Sequence, residues 1–259
     1  MAALHVESQG SGAPLVMLHG WGMHGGIWGN AVPQLAQQFR VHCVDLPGHG
    51  YSKGKGERDY TLDSIVDALS QHFVESLTVC GWSLGGQVAM RWAQLFPAQV
   101  RKLILVASTP CFVQRAGWQC ALDADVLQQF ASALAQHYQS TLKRFLALQL
   151  LGSGAERELL ADLRSRIFSR GEPDMEALYG GLHILRDTDL RAILPQLAQA
   201  ALVIAGERDA LTPPAASEYL ARQLPDARLA VIKGAAHVPF LSHPQIFVEQ
   251  ITGFLHERI

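Results

Sequence analysis

An α/β fold, with a mostly parallel sheet covered by helices on both faces, is predicted by three observations. Short apolar runs alternate with amphipathic helical patterns toward both ends of the chain. One of these runs, Leu77-Thr78-Val79-Cys80, passes through Gly81-Trp82-Ser83-Leu84-Gly85 directly into a stretch with no helix breaker before Pro97. A long middle segment carries helical patterns alone. At 259 residues the chain can hold one large α/β domain with an insertion. Its 49% apolar and 17% charged residues exclude a disordered chain. A net charge of -2 gives no overall pull toward nucleic acid or a membrane surface, so neither is expected as a partner.

The elements follow from pattern and punctuation. Leu15-Val16-Met17-Leu18 breaks into His19-Gly20-Trp21-Gly22, which predicts a strand end and a loop whose amides can approach a ligand closely. Val41-His42-Cys43-Val44-Asp45 predicts a second strand, closed by the turn Leu46-Pro47-Gly48-His49-Gly50. Ile65, Val66, Leu69 and Phe73 recur on one helical face. Lys102-Leu103-Ile104-Leu105-Val106 predicts a strand after the Ser83 helix, and this alternation implies parallel strands buried on both faces. After Pro110 the rhythm changes. Residues 122–190 show helical patterns such as Leu127-Phe130-Leu134 and Leu142-Phe145-Leu146, broken at Gly152-Ser153-Gly154 and Gly171-Glu172-Pro173. Residues 111–190 are therefore expected to form a helical cap inserted into a core of residues 1–110 and 191–259. Strands resume over residues 201–206 and 229–232, and a helix over about residues 244–257 closes the chain.

The Ser83 turn has the chemistry of a nucleophile. A tight strand–turn–helix holds the serine in a strained conformation, with glycines where a Cβ would strike the neighbouring strand or helix. The hydroxyl then stands above the sheet edge, near a helix N-terminus that favours an oxyanion. The turn resembles the nucleophile elbow of α/β-hydrolases, although the pentapeptide alone fits equally a turn whose serine caps a helix. The other residues decide between the two. Asp209 lies just past one strand, and His237 lies on the loop after the last strand, so Ser83, Asp209 and His237 occur in the hydrolase order as catalytic residues. Asp45 precedes the serine and is set aside; His19 and His49 sit on early loops, and His243 stands at a helix start. The amides of Trp21 and Leu84 are the expected oxyanion donors.

Open α/β sheets bind ligands at their carboxyl edge, so Phe145, Leu146, Leu148 and Gln149 are candidates to line an acyl pocket; each also reads as ordinary helix packing. No phosphate-binding loop and no metal-ligand spacing is present, so no cofactor and no metal are expected. Cys43, Cys80, Cys111 and Cys120 form no disulfide pattern and read as free thiols. Residues 1–10 lack the basic and apolar regions of a leader, and no apolar run reaches membrane-spanning length, so a cytoplasmic monomer is expected.

The segments Leu18-His19-Gly20-Trp21-Gly22, Gly81-Trp82-Ser83-Leu84-Gly85-Gly86, Phe145-Leu146-Ala147-Leu148-Gln149, Gly180-Gly181-Leu182-His183-Ile184-Leu185 and Ala235-Ala236-His237-Val238-Pro239-Phe240 go further. Together they resemble the pimeloyl-[acyl-carrier protein] methyl ester esterases, the BioH family of biotin synthesis. The Trp-Ser-Leu elbow and the Phe-Leu-Ala-Leu-Gln segment are the specific parts of that likeness. The resemblance implies a serine carboxylesterase that removes the methyl group masking the distal carboxyl of a carrier-bound pimeloyl chain. It implies catalysis by Ser83, Asp209 and His237, with Trp21, Ser83, Leu84, Phe145, Leu146, Ala147, Leu148, Gln149 and His237 contacting substrate. It also implies docking of the acidic acyl carrier protein on cap arginines. Arg144 and Arg157 stand at matching places, whereas Ser140 and Ala161 replace expected arginines. The residues by themselves leave open a general short-chain carboxylesterase acting on small esters, a carbon–carbon bond hydrolase of the same fold, or a non-catalytic ligand-binding receptor.

Overall fold

The structure is a computed structural model and describes residues 4–53, 59–153 and 156–257. The leader reading of residues 1–10 therefore falls in part, and Gly154 wholly, outside the described residues. Seven strands form one sheet: β1 (His5–Gln9), β2 (Ala13–Leu18), β3 (Phe39–Asp45), β4 (Leu77–Trp82), β5 (Val100–Val106), β6 (Ala200–Gly206) and β7 (Ala227–Ile232). Their spatial order is β1-β3-β2-β4-β5-β6-β7. Among the described strands only β1 runs antiparallel, pairing His5 with Asp45 through Gln9 with Val41.

Sequence pattern explains which strands were legible. In β4 and β6 every residue is buried, so they read as continuous apolar runs. Strand β1, His-Val-Glu-Ser-Gln, has an exposed carboxyl half and no such run, which is why the sequence reading passed over it.

Between the strands lie α1 (Ala31–Leu35), α2 (Leu62–His72) and α3 (Leu84–Leu95). The Thr61 hydroxyl accepts from the Ser64 amide and starts α2, whose Ile65, Val66 and Leu69 face the core. Four helices follow in succession between β5 and β6: α4 (Ala124–Gln136), α5 (Tyr138–Leu150), α6 (Glu156–Phe168) and α7 (Met175–Asp187). Beyond β6 come α8 (Pro214–Gln223), the one-turn α9 (Pro239–Ser242) and α10 (Pro244–His256). Helix α10 buries Phe247, Ile251 and Phe254, one residue per turn on one face. Full burial stabilises each such side chain by about 1.5–3 kcal/mol. Among the described residues no helix is long and apolar enough to cross a membrane.

An ion-pair cluster fastens the end of α6 to the sheet. Arg170, just past α6, reaches both carboxylate oxygens of Asp45 at 3.0 Å and also pairs with Glu7 on β1. Asp45 is fully buried and accepts the Gly25 amide at 2.6 Å and the Tyr51 amide at 2.8 Å. Burial pushes its carboxyl up, but the Tyr51 and Gly25 amides, with Arg170 behind them, outweigh this and hold it below the usual carboxylate range. Beside it His24 donates to the Arg166 carbonyl at 2.7 Å and accepts the Gly26 amide at 3.0 Å. Asp45 is thus engaged by two amides and a guanidinium.

Candidate active site

The turn between β4 and α3 places Ser83 at φ 54°, ψ -117°, a left-handed conformation that costs a non-glycine residue on the order of 1–3 kcal/mol. Its surroundings over-determine it. The Ser83 amide donates to the Val106 carbonyl at 2.9 Å, and the Ser83 carbonyl accepts from the Gly86 amide at 2.9 Å and the Ser108 hydroxyl at 2.8 Å. A Cβ on Gly81 would lie 2.2 Å from the Gly85 carbonyl oxygen, and one on Gly85 would lie 2.3 Å from that of Leu18. The first glycine admits the start of the helix and the second lets that helix press on β2. Ser83 is half-buried while Trp82 and Leu84 on either side are buried.

Asp209 lies in the turn after β6 with its carboxylate filled. One oxygen accepts the Leu211 and Thr212 amides at 2.9 Å each; the other accepts the Thr212 hydroxyl at 2.7 Å and lies 2.8 Å from His237 Nδ1. A carboxylate facing Nδ1 places the imidazole proton there and leaves Nε2 as the lone-pair nitrogen, the form a general base needs. The main chain of His237 is held as well. Its amide donates to the Gln149 carbonyl at 3.1 Å, and its carbonyl accepts the Trp82 indole N–H at 2.8 Å. Thr212 and the Trp82 indole escaped the sequence reading. A threonine three residues after Asp209 was a usable turn signal; the Trp82 contact spans 155 residues and had none.

The loop after β2 comes to the same place. A Cβ on Gly20 would lie 3.3 Å from Ser83 Cβ, so the amides that follow it sit beside the elbow. His19 secures this loop: Nδ1 donates to the Gly20 carbonyl at 2.8 Å, and Nε2 accepts the Leu46 amide at 3.0 Å. Burial, with His49 next to it, lowers its pKa to about 3, which keeps Nε2 an acceptor. Trp21 and Leu84 approach one another beneath α7, where a Cβ on Gly181 would lie 2.6 Å from Trp21 Cδ1 and 3.5 Å from Leu84 Cδ2.

The structure divides the segment 145–149. Phe145 packs edge-on against Trp21, ring centroids 5.1 Å apart, with Phe130 of α4 at 5.4 Å from the same indole. Leu146 and Gln149 are buried, and Gln149 Oε1 has no hydrogen-bond partner among the described residues. Ala147 and Leu148 are exposed, Leu148 by 46%, as are Lys143 and Arg144 on the same helix and Leu151 just past its end. Phe145 and Leu148, three residues apart, share a flank of the helix, but Leu148 stands at its exposed edge and so does not line the interior. Arg157 is exposed on α6, the helix packed against α5. Arg166 pairs with Asp162 at 2.8 Å, one turn away. A cleft of about 700 Å³ bordered by Tyr60, Tyr179 and His183 includes none of Ser83, Asp209 and His237. Among the described residues no group of three or more metal-ligating side chains gathers, and all four cysteines are free thiols.

A serine on a strained strand-to-helix turn and a buried histidine that is paired with a carboxylate and tied to that turn by the Trp82 indole are groups that acyl transfer uses. A family model described as the alpha/beta hydrolase fold matches residues 13–244. The chain is 48% identical over 252 residues to a pimeloyl-[acyl-carrier protein] methyl ester esterase from Nitrosomonas europaea, covering 96% of this chain and 98% of that one. It is 42% identical over 255 residues to the protein of the same name from Chromobacterium violaceum, covering 98% and 99%. The chain belongs to the pimeloyl-[acyl-carrier protein] methyl ester esterase family. Its membership is of the whole chain, insertion included, since these alignments leave out only a few residues of either partner. Among solved structures, an esterase from Exiguobacterium antarcticum matches with a TM-score of 0.89 at 25% identity, covering 98% of this chain and 96% of that one. A bromoperoxidase from Bacillus anthracis matches at 0.91 and 22% identity, covering 98% and 95%, a likeness of fold alone.

Proposed function

We propose that the protein is a serine carboxylesterase that hydrolyses the methyl ester of pimeloyl-acyl carrier protein to pimeloyl-acyl carrier protein and methanol, in biotin synthesis. What carries this reading is the 2.8 Å Asp209–His237 pair set at a Ser83 elbow, in a chain nearly half identical end to end to an esterase of that name. His237 Nε2 takes the Ser83 proton as Oγ attacks the ester carbonyl, and the Trp21 and Leu84 amides hold the resulting oxyanion. Asp209 keeps the imidazole in the required tautomer and balances its charge. The proton passes to the leaving methoxide, which departs as methanol; water, deprotonated by His237, then releases the acid from acyl-Ser83. No cofactor takes part, since the nucleophile, base and donors are all groups of the chain.

Residues 111–190 act as a cap over the carboxyl edge of a core made of residues 1–110 and 191–259. Phe145, Leu146 and Gln149 line the acyl pocket, and Ala147 and Leu148 lie outside it on the face a carrier would approach. Arg144 and Arg157 on that face dock the acidic carrier. The exposed positions Ser140 and Ala161 lack the charge to join them. The reading is of a cytoplasmic monomer: four unpaired thiols suit a reducing compartment, and one chain supplies every group of the site.

The test compares turnover of carrier-bound pimeloyl methyl ester with that of free dimethyl pimelate. A higher kcat/KM on the carrier substrate is expected, with Arg144→Glu and Arg157→Glu raising KM for it alone. Equal kcat/KM on both substrates would favour a general carboxylesterase, and no turnover of either would reject the esterase reading.

A further inference from the structure

We propose that helix α7 positions the oxyanion donor: by holding the Trp21 indole it sets where the Trp21 amide points, so the insertion helps to determine how tightly the oxyanion is bound. The proposal rests on the reading above, in which that amide is a donor.

The backbone of Trp21 belongs to the core loop beside Ser83, but its side chain belongs to the insertion. The indole is 2% exposed, and its N–H donates to the Leu178 carbonyl of α7 at 2.9 Å, across 157 residues of sequence. Its ring also meets Phe130 of α4 and Phe145 of α5 edge-on. Three helices of the insertion therefore touch one side chain whose Cβ is two bonds from the amide nitrogen of the same residue.

Helix α7 has no slack at this point. A Cβ on Gly181 would lie 2.6 Å from Trp21 Cδ1 and 3.1 Å from its Nε1, and one on the preceding Gly180 would lie 2.3 Å from Tyr60 Cβ. Two successive glycines thus let the helix fit between Trp21 on one flank and Tyr60, just before α2, on the other. The loop is fixed from the core side by His19, through Gly20 and Leu46, and from the insertion side by the indole. An oxyanion donor acts only when its N–H meets the position the oxygen reaches in the transition state, so a small displacement lowers turnover while ground-state binding persists. Leu178 and Gly181 are positioning residues on this account. The histidine side is tied to the insertion in the same way, by the 3.1 Å bond from the His237 amide to the Gln149 carbonyl at the end of α5.

Trp21→Phe removes the indole donor and keeps an aromatic ring; Gly181→Ala presses on the indole and leaves Trp21 intact. Both are assayed on free dimethyl pimelate, so that carrier docking is not read, alongside Ser83→Ala. For both variants kcat should fall about tenfold or more, short of the roughly 10²–10³ that loss of a whole donor costs, with KM little changed. Binding of a trifluoromethyl ketone, whose adduct with the serine carries an oxyanion, should weaken by the same factor. If Gly181→Ala does not fold, Trp21→Phe alone decides. Wild-type kcat in Trp21→Phe, or a loss confined to KM, would overturn the proposal while an inactive Ser83→Ala leaves the active-site reading standing. Full activity in Ser83→Ala would instead overturn that reading, and this proposal with it.

Discussion

Ser83, Asp209 and His237 could be proposed from one sequence because each is announced by its immediate neighbours: glycines around the first, a strand end before the second, a glycine-containing loop around the third. The residues that hold them could not, because their partners are far along the chain. Ser108 reaches the Ser83 carbonyl, Trp82 reaches that of His237, and Trp21 reaches that of Leu178. At Asp209 every strong donor is accounted for, so Asp209→Asn should fold, because the two backbone amides still find an oxygen. It should lose about 10⁴-fold in kcat, because an amide at that place no longer selects the Nδ1–H tautomer. Steady-state turnover of dimethyl pimelate with a matched thermal melt checks this, and a loss under tenfold would remove Asp209 from the set. Thr212→Val deletes only the hydroxyl donor 2.7 Å from Asp209 Oδ2 and should cost about 1 kcal/mol of stability, read by urea unfolding.

At the scale of elements, apolar periodicity located most of the sheet and a helical segment between β5 and β6, with explicit patterns on α4 and α5, and it missed what periodicity does not encode. Strand β1 is polar and lies at the sheet edge. The motif Phe-Leu-Ala-Leu-Gln reads as one functional unit in sequence, yet α5 turns Phe145, Leu146 and Gln149 inward and Ala147 and Leu148 outward. The two sides predict different phenotypes. Phe145→Ala should change the ranking of free esters by acyl length, since each buried methylene contributes about 0.8 kcal/mol. Leu148→Ala should leave that ranking alone and, standing one turn from Arg144, act only on the carrier substrate. A chain-length profile altered by Leu148→Ala and untouched by Phe145→Ala would reverse the assignment. The anchor of the insertion is equally specific. Arg170→Met leaves a fully buried Asp45 without its cation and should cost about 3–5 kcal/mol in denaturant unfolding, toward the lower end because two amides still serve the carboxylate.

For the whole molecule, the buried histidines set a dependence of stability on pH. Burial is the leading cause that lowers the pKa of His19, to about 3, and of His24 and His49, all from an ordinary 6.5. In the fold each is neutral where the unfolded chain binds a proton. The stability these rings contribute is therefore fully present above about pH 6.5 and is lost as pH falls toward the folded values, with a slope for His19 that approaches roughly 1.4 kcal/mol per pH unit well below pH 6.5. Urea unfolding at pH 7.5, 6 and 5 should show this fall, and His49→Asn should make it shallower. A profile flat between pH 7.5 and 5 would mean that these rings are not held neutral. Composition alone could not disclose this, because eleven histidines in a sequence do not reveal which are buried.

The chemistry assigned to the chain is tested most directly by the intact mass of pimeloyl-acyl carrier protein methyl ester after incubation with the wild-type protein and with Ser83→Ala. The wild type should lower the carrier's mass by one methylene, the difference between a methyl ester and an acid, and Ser83→Ala should leave it unchanged. An unchanged mass with the wild type, or conversion by Ser83→Ala, would contradict the account.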